Sequence, residues 1–160
     1  MERVNFIYQH PVFIECCEQI EKWEENRIFC SHNREHFLDV ARVAMILNLE
    51  ENYGIESYII YGAALLHDIG RHLQYEKGIP HEQASAEIAL DILNDCGYSK
   101  EDRDRIIEAI LFHRNNDIKD EKNLKGLLYR ADKASRCCFW CKAKEECNWK
   151  NDKKNRRLMR

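Results

Sequence analysis

Apolar residues recur at three- and four-residue steps along most of this chain, the period of an amphipathic helix. Val12, Phe13, Cys16, Ile20 and Trp23 predict a first helix over residues 11–25. Arg34 and Glu35 open a longer one that runs to about Glu50, with Ser31 as its expected N-cap. Its apolar face is Phe37, Val40, Ala41, Ala44, Ile46 and Leu47. After a break at Gly54, residues 56–69 carry Tyr58, Ile59, Ala63, Leu65 and Leu66, so burial on most sides is expected, and Gly70 is placed to stop the helix. A polar loop is expected over Arg71–Gly78. Pro80 then marks the start of a helix over residues 81–96, ended by Gly97. Ser99 and Asp102 form the expected capping box of a helix over 100–113. A polar loop, Arg114–Asn123, leads to an apolar helix over Leu124–Ala134. The remainder, Ser135–Arg160, begins helical and turns polar. Nothing alternates as a strand would and no repeat is present. The expectation is an all-α, single-domain bundle: an N-terminal helix within 1–30, a core over 31–136 and an extension over 137–160.

Composition narrows this picture. The chain has 160 residues, 44% hydrophobic and 33% charged, with two prolines and six glycines, which suits a soluble helical protein. No run of about 18 apolar residues exists, so no membrane span is expected. The opening Met-Glu-Arg-Val-Asn-Phe lacks the basic-then-apolar order of a secretory signal, and a cytoplasmic location is expected. A net charge of −3 argues against general nucleic-acid binding. Yet residues 142–160 carry eight Lys/Arg against Glu145, Glu146 and Asp152. Such a basic tail either attracts phosphates or forms a solvated face. Eight cysteines in a cytosolic chain point to reduced thiols or metal binding rather than to a disulfide framework.

The chemistry centres on Ala63-Ala-Leu-Leu-His-Asp-Ile-Gly70, where an apolar run delivers an imidazole and a carboxylate side by side. An ionised carboxylate in such surroundings needs a cation or hydrogen bonds to offset its desolvation, and a divalent metal is such a cation. His36 and His81 each begin a predicted helix, His67-Asp68 and His113 end theirs, and Asp132 lies on an apolar helix. Side chains at helix ends can converge on one point inside a bundle. His32, four residues before His36, shares its face; it is expected as a cap-region or surface residue, with a place in the ligand shell as the alternative. His10 and His72 lie in terminal or polar stretches.

Three motifs stand in order: His36-x3-Val40-Ala41, Leu66-His67-Asp68-Ile69-Gly70 and Tyr129-Arg130-Ala131-Asp132-Lys133. Together they resemble the HD superfamily of metal-dependent phosphohydrolases, over about Ser31 to Arg136. His36, His67, Asp68 and Asp132 match its core ligand set. His81 and His113 match two further histidines of the dinuclear branch, which includes hydrolases of symmetrical dinucleoside tetraphosphates. The cyclic-dinucleotide branch shares His-Asp-Ile-Gly, but its Gly-Tyr-Pro has no counterpart here. The resemblance implies that Asp68 bridges two ions, with His36, His67 and Asp132 on one and His81 and His113 on the other. His67 and Asp68 would form the catalytic pair beside a metal-activated water that attacks phosphorus. One or two ions are implied, iron or manganese favoured by the nitrogen and oxygen donors, with zinc, nickel, cobalt and magnesium left open. Arg71 is the candidate phosphate clamp and Lys133 a weaker one. The implied substrate is small, phosphorylated and nucleotide-like; no specific nucleic acid is expected, and a homodimer is allowed.

The cysteines fall outside that signature. Cys137, Cys138, Cys141 and Cys147 are candidates for a second centre, zinc or iron–sulfur, joined by Cys16, Cys17 or Cys30. The plainer alternative is that they fill a small-residue face. Two other functions fit the same residues: a mixed-valent di-iron oxygenase using the six ligands, and a non-catalytic metal- or redox-sensing module built on the Cys cluster.

Overall fold

A computed structural model describes residues 1–158. Met159 and Arg160, the end of the expected basic extension, lie outside the described residues, as does the side chain of Asp152. The described residues hold eight α-helices and no strand, as the periodicity predicts: α1 (Glu2–Gln9), α2 (Pro11–Trp23), α3 (Arg34–Glu50), α4 (Ser57–Leu66), α5 (Arg71–Lys77), α6 (His81–Asp95), α7 (Lys100–Phe112) and α8 (Leu124–Ala134). No helix among them is long and apolar enough to cross a membrane.

Helix α4 is the axis. It is apolar on every side, and Ile59, Ile60 and Gly62 through Leu66 are all buried. It packs against α1, α3, α6, α7 and α8, while α5 lies between α2 and α6. Side chains at the C-terminal end of α4 are therefore surrounded by other helices. The candidate site residues gather there.

The differences from expectation are local and have physical causes. Residues 2–9, where the pattern predicts no element, form α1, which has only Val4 and Ile7 to bury. Asn33 rather than Ser31 caps α3, its Oδ1 accepting from His36 N at 2.9 Å. Arg71–Lys77 is a helix, not a loop. It buries no residue completely, so periodicity cannot flag it, although its residues are mostly good helix formers. Ser99 caps α7 through Asp102 N at 3.1 Å, but the Asp102 carboxylate turns to the Tyr58 hydroxyl at 3.2 Å. The chain beyond Ala134 forms only short 3-10 turns, at Cys138–Trp140 and Asn151–Lys153, instead of continuing as a helix. Val12, Ile46 and Leu111, placed on apolar faces by the pattern, are exposed.

Gly70 works differently from the expected helix stop. Its φ of −85° is ordinary, and it serves as the N-cap residue of α5. What it provides is proximity: a Cβ there would lie 2.4 Å from Ser85 N and 2.5 Å from Ala84 C. The backbone of the turn rests directly on α6, and Gly70 N donates to Ser85 Oγ at 2.9 Å. Gly70→Ala should cost about 3 kcal/mol or more, because backbone rather than a flexible side chain must move. Urea unfolding of the two proteins checks this; an unchanged midpoint would contradict the close contact.

Candidate metal centre

After Leu66 the chain turns through His67 and Asp68 before α5 begins. His67 Nδ1 lies 2.7 Å from Ala64 O. A carbonyl can only accept, so Nδ1 carries the proton and the lone pair of Nε2 faces inward. His113, at the end of α7, repeats the arrangement with Ile110 O at 2.6 Å. His36, in the first turn of α3, places Nδ1 3.5 Å from the Ser135 hydroxyl, which itself donates to Asp132 O at 2.9 Å. His81 Nδ1 meets Gln74 Oε1 at 2.5 Å. Four Nε2 atoms are thus turned toward one point from four helix ends.

They meet two carboxylates. His36, His67 and Asp132 form one triad and Asp68, His81 and His113 another, the ligand atoms of each lying within 4.8 Å of one another. Asp68 stands between the triads. Its Oδ1 is 3.0 Å from His81 Nε2 and 3.5 Å from His113 Nε2, while Oδ2 is 3.3 Å from His67 Nε2. Asp132 Oδ1 lies 3.4 Å from His36 Nε2 and 3.9 Å from His67 Nε2. All six residues are buried.

Whether these residues suit a cation can be tested on their unmet bonding. His36 Nε2, His67 Nε2, Asp68 Oδ1 and Asp132 Oδ1 are all buried without a hydrogen-bond partner. Each such atom costs about 1–3 kcal/mol if it stays unpaired. Four of them facing one another is a donor set of nitrogen and oxygen that a divalent ion satisfies together.

The electrostatics agree. Burial drives the pKa of His36 and of His81 down to about 4, which keeps both rings in the neutral, ligating form. Burial opposes ionisation of Asp68, but His67 and Arg71 outweigh it and hold the carboxyl well below its usual range. Asp132 is likewise held down against burial, by Lys133, His36, His67 and Arg136. At His67 burial favours the neutral ring, yet the field of Asp68 and Asp132 raises its pKa. The centre of the site attracts positive charge.

A surrounding layer is only partly legible in the sequence, which offers Arg71, Lys133 and, as an alternative, His32, but neither Glu24 nor Arg136. His32 is not a surface residue: it is 3% exposed, and its Nε2 lies 3.8 Å from Asp68 Oδ2. Glu24, at the end of α2, holds it, accepting from His32 N at 2.7 Å, from His32 Nδ1 at 2.5 Å and from the Tyr75 hydroxyl at 2.5 Å. Arg71, the first residue of α5, spans the site, with one terminal nitrogen 2.5 Å from His32 Nε2 and the other 2.9 Å from His81 Nδ1. Arg136 is buried, donates to Ser31 O at 2.9 Å and lies 3.6 Å from Asp132 Oδ1. Lys133 ion-pairs with Asp132 and sits over the Tyr129 ring. Of these, Arg136 had a readable signal, since it stands one helical turn after Asp132. Glu24 had none.

Residues 33–137 match the HD domain family, and this match covers well over half of the chain, which belongs to that family. Membership implies metal-dependent hydrolase chemistry in general terms and the binding of divalent metal, for which the two triads are suited. A protein of Clostridium beijerinckii (strain ATCC 51743 / NCIMB 8052), described as uncharacterized, is 48% identical over 155 residues, covering 97% of each chain. No solved structure matches.

Glu24 offers a test of the outer layer. Three hydrogen bonds lower its pKa to about 2 against the opposing effect of burial. The folded-state value lies below the ordinary 4.5, so this stabilisation is complete above that pH and is lost as pH falls through about 2. Glu24→Gln should cost about 1–3 kcal/mol at neutral pH. The gap from wild type should narrow as the solution is acidified through that window. Urea titrations at a series of pH values measure it, and a gap independent of pH would contradict the ionised anchor.

Proposed function

We propose that the chain is a dinuclear metal-dependent phosphohydrolase that cleaves a phosphoanhydride or phosphoester of a small, nucleotide-like substrate. The observation that carries this reading is where the unpartnered atoms lie. Asp68, His81, His113 and Asp132, four of the six triad residues, form the floor of a cavity of about 1030 Å³. Among the described residues, its lining holds nine arginines and lysines but only two carboxylates, Asp68 and Asp132. Clustered positive charge in a low-dielectric cleft concentrates polyanions. An uncharged substrate gains nothing from that field. The size and charge of the cavity support a substrate with several phosphates, and symmetrical dinucleoside tetraphosphates are the class to try first.

In this reading His36, His67 and Asp132 would hold one ion, His81 and His113 would hold the other, and Asp68, placed between the triads, would serve both. Donors without thiolate favour iron or manganese. When bound, the metal supplies the Lewis acidity that lowers the pKa of an attacking water and offsets charge on the phosphoryl oxygens. The protein's own work is placement. His67 and Asp68 are delivered together by one turn, and Glu24 and His32 keep the Arg71 guanidinium at the floor. Arg71 has an unpartnered Nε, and its fork suits a phosphate in bidentate fashion. Lys133 adds a second cation beside Asp132. Arg136 ties Asp132 to the segment before α3, so it positions rather than binds. All six ligands fall within residues 31–136, the proposed core. The N-terminal part, 1–30, contributes Glu24, and the extension, 137–160, contributes much of the basic wall.

Asp68→Ala should lower metal occupancy and cut hydrolysis of nucleotide polyphosphates by more than about a hundredfold, with helical content largely kept. Metal analysis, circular dichroism and a phosphate-release assay read the three quantities; a variant that turns over at the wild-type rate would refute the bridging role. The wild-type reaction should run equally well without dioxygen. A strict requirement for dioxygen would transfer the same ligand set to the oxygenase reading. Arg71→Ala should raise KM by about tenfold or more through loss of the charged contact; an unchanged KM would remove Arg71 from the substrate site.

A further inference from the structure

Four of the eight cysteines line the same cavity as the metal-centre floor. Cys30 comes from the segment before α3, and Cys138, Cys141 and Cys147 come from the C-terminal extension. Each is half-buried, and burial pushes the Cys30 thiol pKa up, with Cys138, Cys141 and Cys147 adding to the rise and Arg136 opposing it. Cys137 is exposed and absent from the lining, with its Sγ 3.9 Å from Ser135 O. The structure thus replaces Cys137 with Cys30 in the cluster expected from sequence.

The extension also lacks a core of its own. Between residues 135 and 158, Ala143 is the one buried apolar residue among those described, and Trp140 is 82% exposed. Polar ties hold it: Asn155 Nδ2 donates to the carbonyls of Lys133 at 2.7 Å and Arg136 at 2.8 Å, and Lys154 Nζ to that of Cys147 at 3.0 Å. So short a segment with so little buried surface needs a cross-link, and among reduced thiols a metal centre provides one.

The spread of the thiols indicates which kind. A single zinc ion with Zn–S bonds of about 2.3 Å draws four sulfurs to roughly 3.8 Å from one another. Both His/Asp triads are gathered within 4.8 Å, and no group of these thiols is, among the described residues. A wider cage suits a cluster of several irons held by four thiolates. Arg27, Arg136, Lys144 and Lys154 line the same cavity and offset the negative charge of such a cluster.

We propose that Cys30, Cys138, Cys141 and Cys147 hold a [4Fe–4S] cluster that staples the C-terminal extension to the segment before α3, closing the basic wall over the hydrolytic floor. This is independent of the phosphohydrolase reading, because inorganic sulfide belongs to the cluster alone. The full chain is purified anaerobically without chelator, with a second sample reconstituted with ferrous iron and sulfide. Iron, zinc and acid-labile sulfide are measured with the visible spectrum. About four sulfides per chain are expected, with a brown chromophore that dithionite bleaches. The double variant Cys138→Ser/Cys141→Ser should lose sulfide and colour and keep the metal of the His/Asp floor, and proteolysis should cut its extension faster. Asp68→Ala and Cys137→Ser should each keep both sulfide and colour. If the double variant does not fold, Cys30→Ser decides: loss of most of the sulfide supports the assignment and full retention overturns it. Zinc held by these thiols without sulfide, no sulfide even after reconstitution, or loss of the chromophore on replacing Cys137 alone would each overturn it.

Discussion

Two buried carboxylates facing four buried imidazoles are the constraint on which the structure depends. One oxygen of each carboxylate, Asp68 Oδ1 and Asp132 Oδ1, has no hydrogen-bond partner, and His67 and His113 have their Nδ1 atoms committed to carbonyls. Removing such groups from water is costly, and mutual attraction at 3–4 Å offsets only part of that cost. The balance closes with cations: Arg71, Arg136 and Lys133 on the protein's side, and divalent metal in the centre. The HD family match and the shape of the site lead to the same conclusion by separate routes.

The helices serve this arrangement more by where they stop than by what they cover. α4 ends at the floor, α7 ends at His113, and α3 and α6 begin at or just before His36 and His81. A side chain at a helix end is held by a hydrogen-bonded backbone on one side and free to turn on the other. Six side chains suited to a metal can then approach one point without six strained loops.

What was legible in the sequence follows from this. The apolar run into His67-Asp68 marks burial of a polar pair, and helical periodicity places His36, His81, His113 and Asp132 near helix ends or on a buried face. Those features are local, so sequence reveals them. Features made by approach in space leave no local trace. Glu24 and His32 meet because α2 ends beside the segment before α3, and Cys30 lines the same cavity as Cys138 only after the chain has closed on itself. The α5 helix was hidden for another reason: it is half-buried over residues 71–75, exposed at Glu76 and Lys77, and lacks an apolar stripe. Ser31 and Asn33 are both competent caps, and only backbone geometry decides between them.

Gly70 has a consequence beyond its own turn. Because backbone rests on backbone there, with Ser85 gripping the Gly70 amide, Asp68 and His81 belong to two elements that move as one piece. The geometry of the Asp68, His81 and His113 triad is therefore tied to main-chain contact, not only to side chains that can adjust to whatever arrives. An ion of the wrong radius would press on that main-chain contact, so the triad acts as a gauge for the size of what it holds.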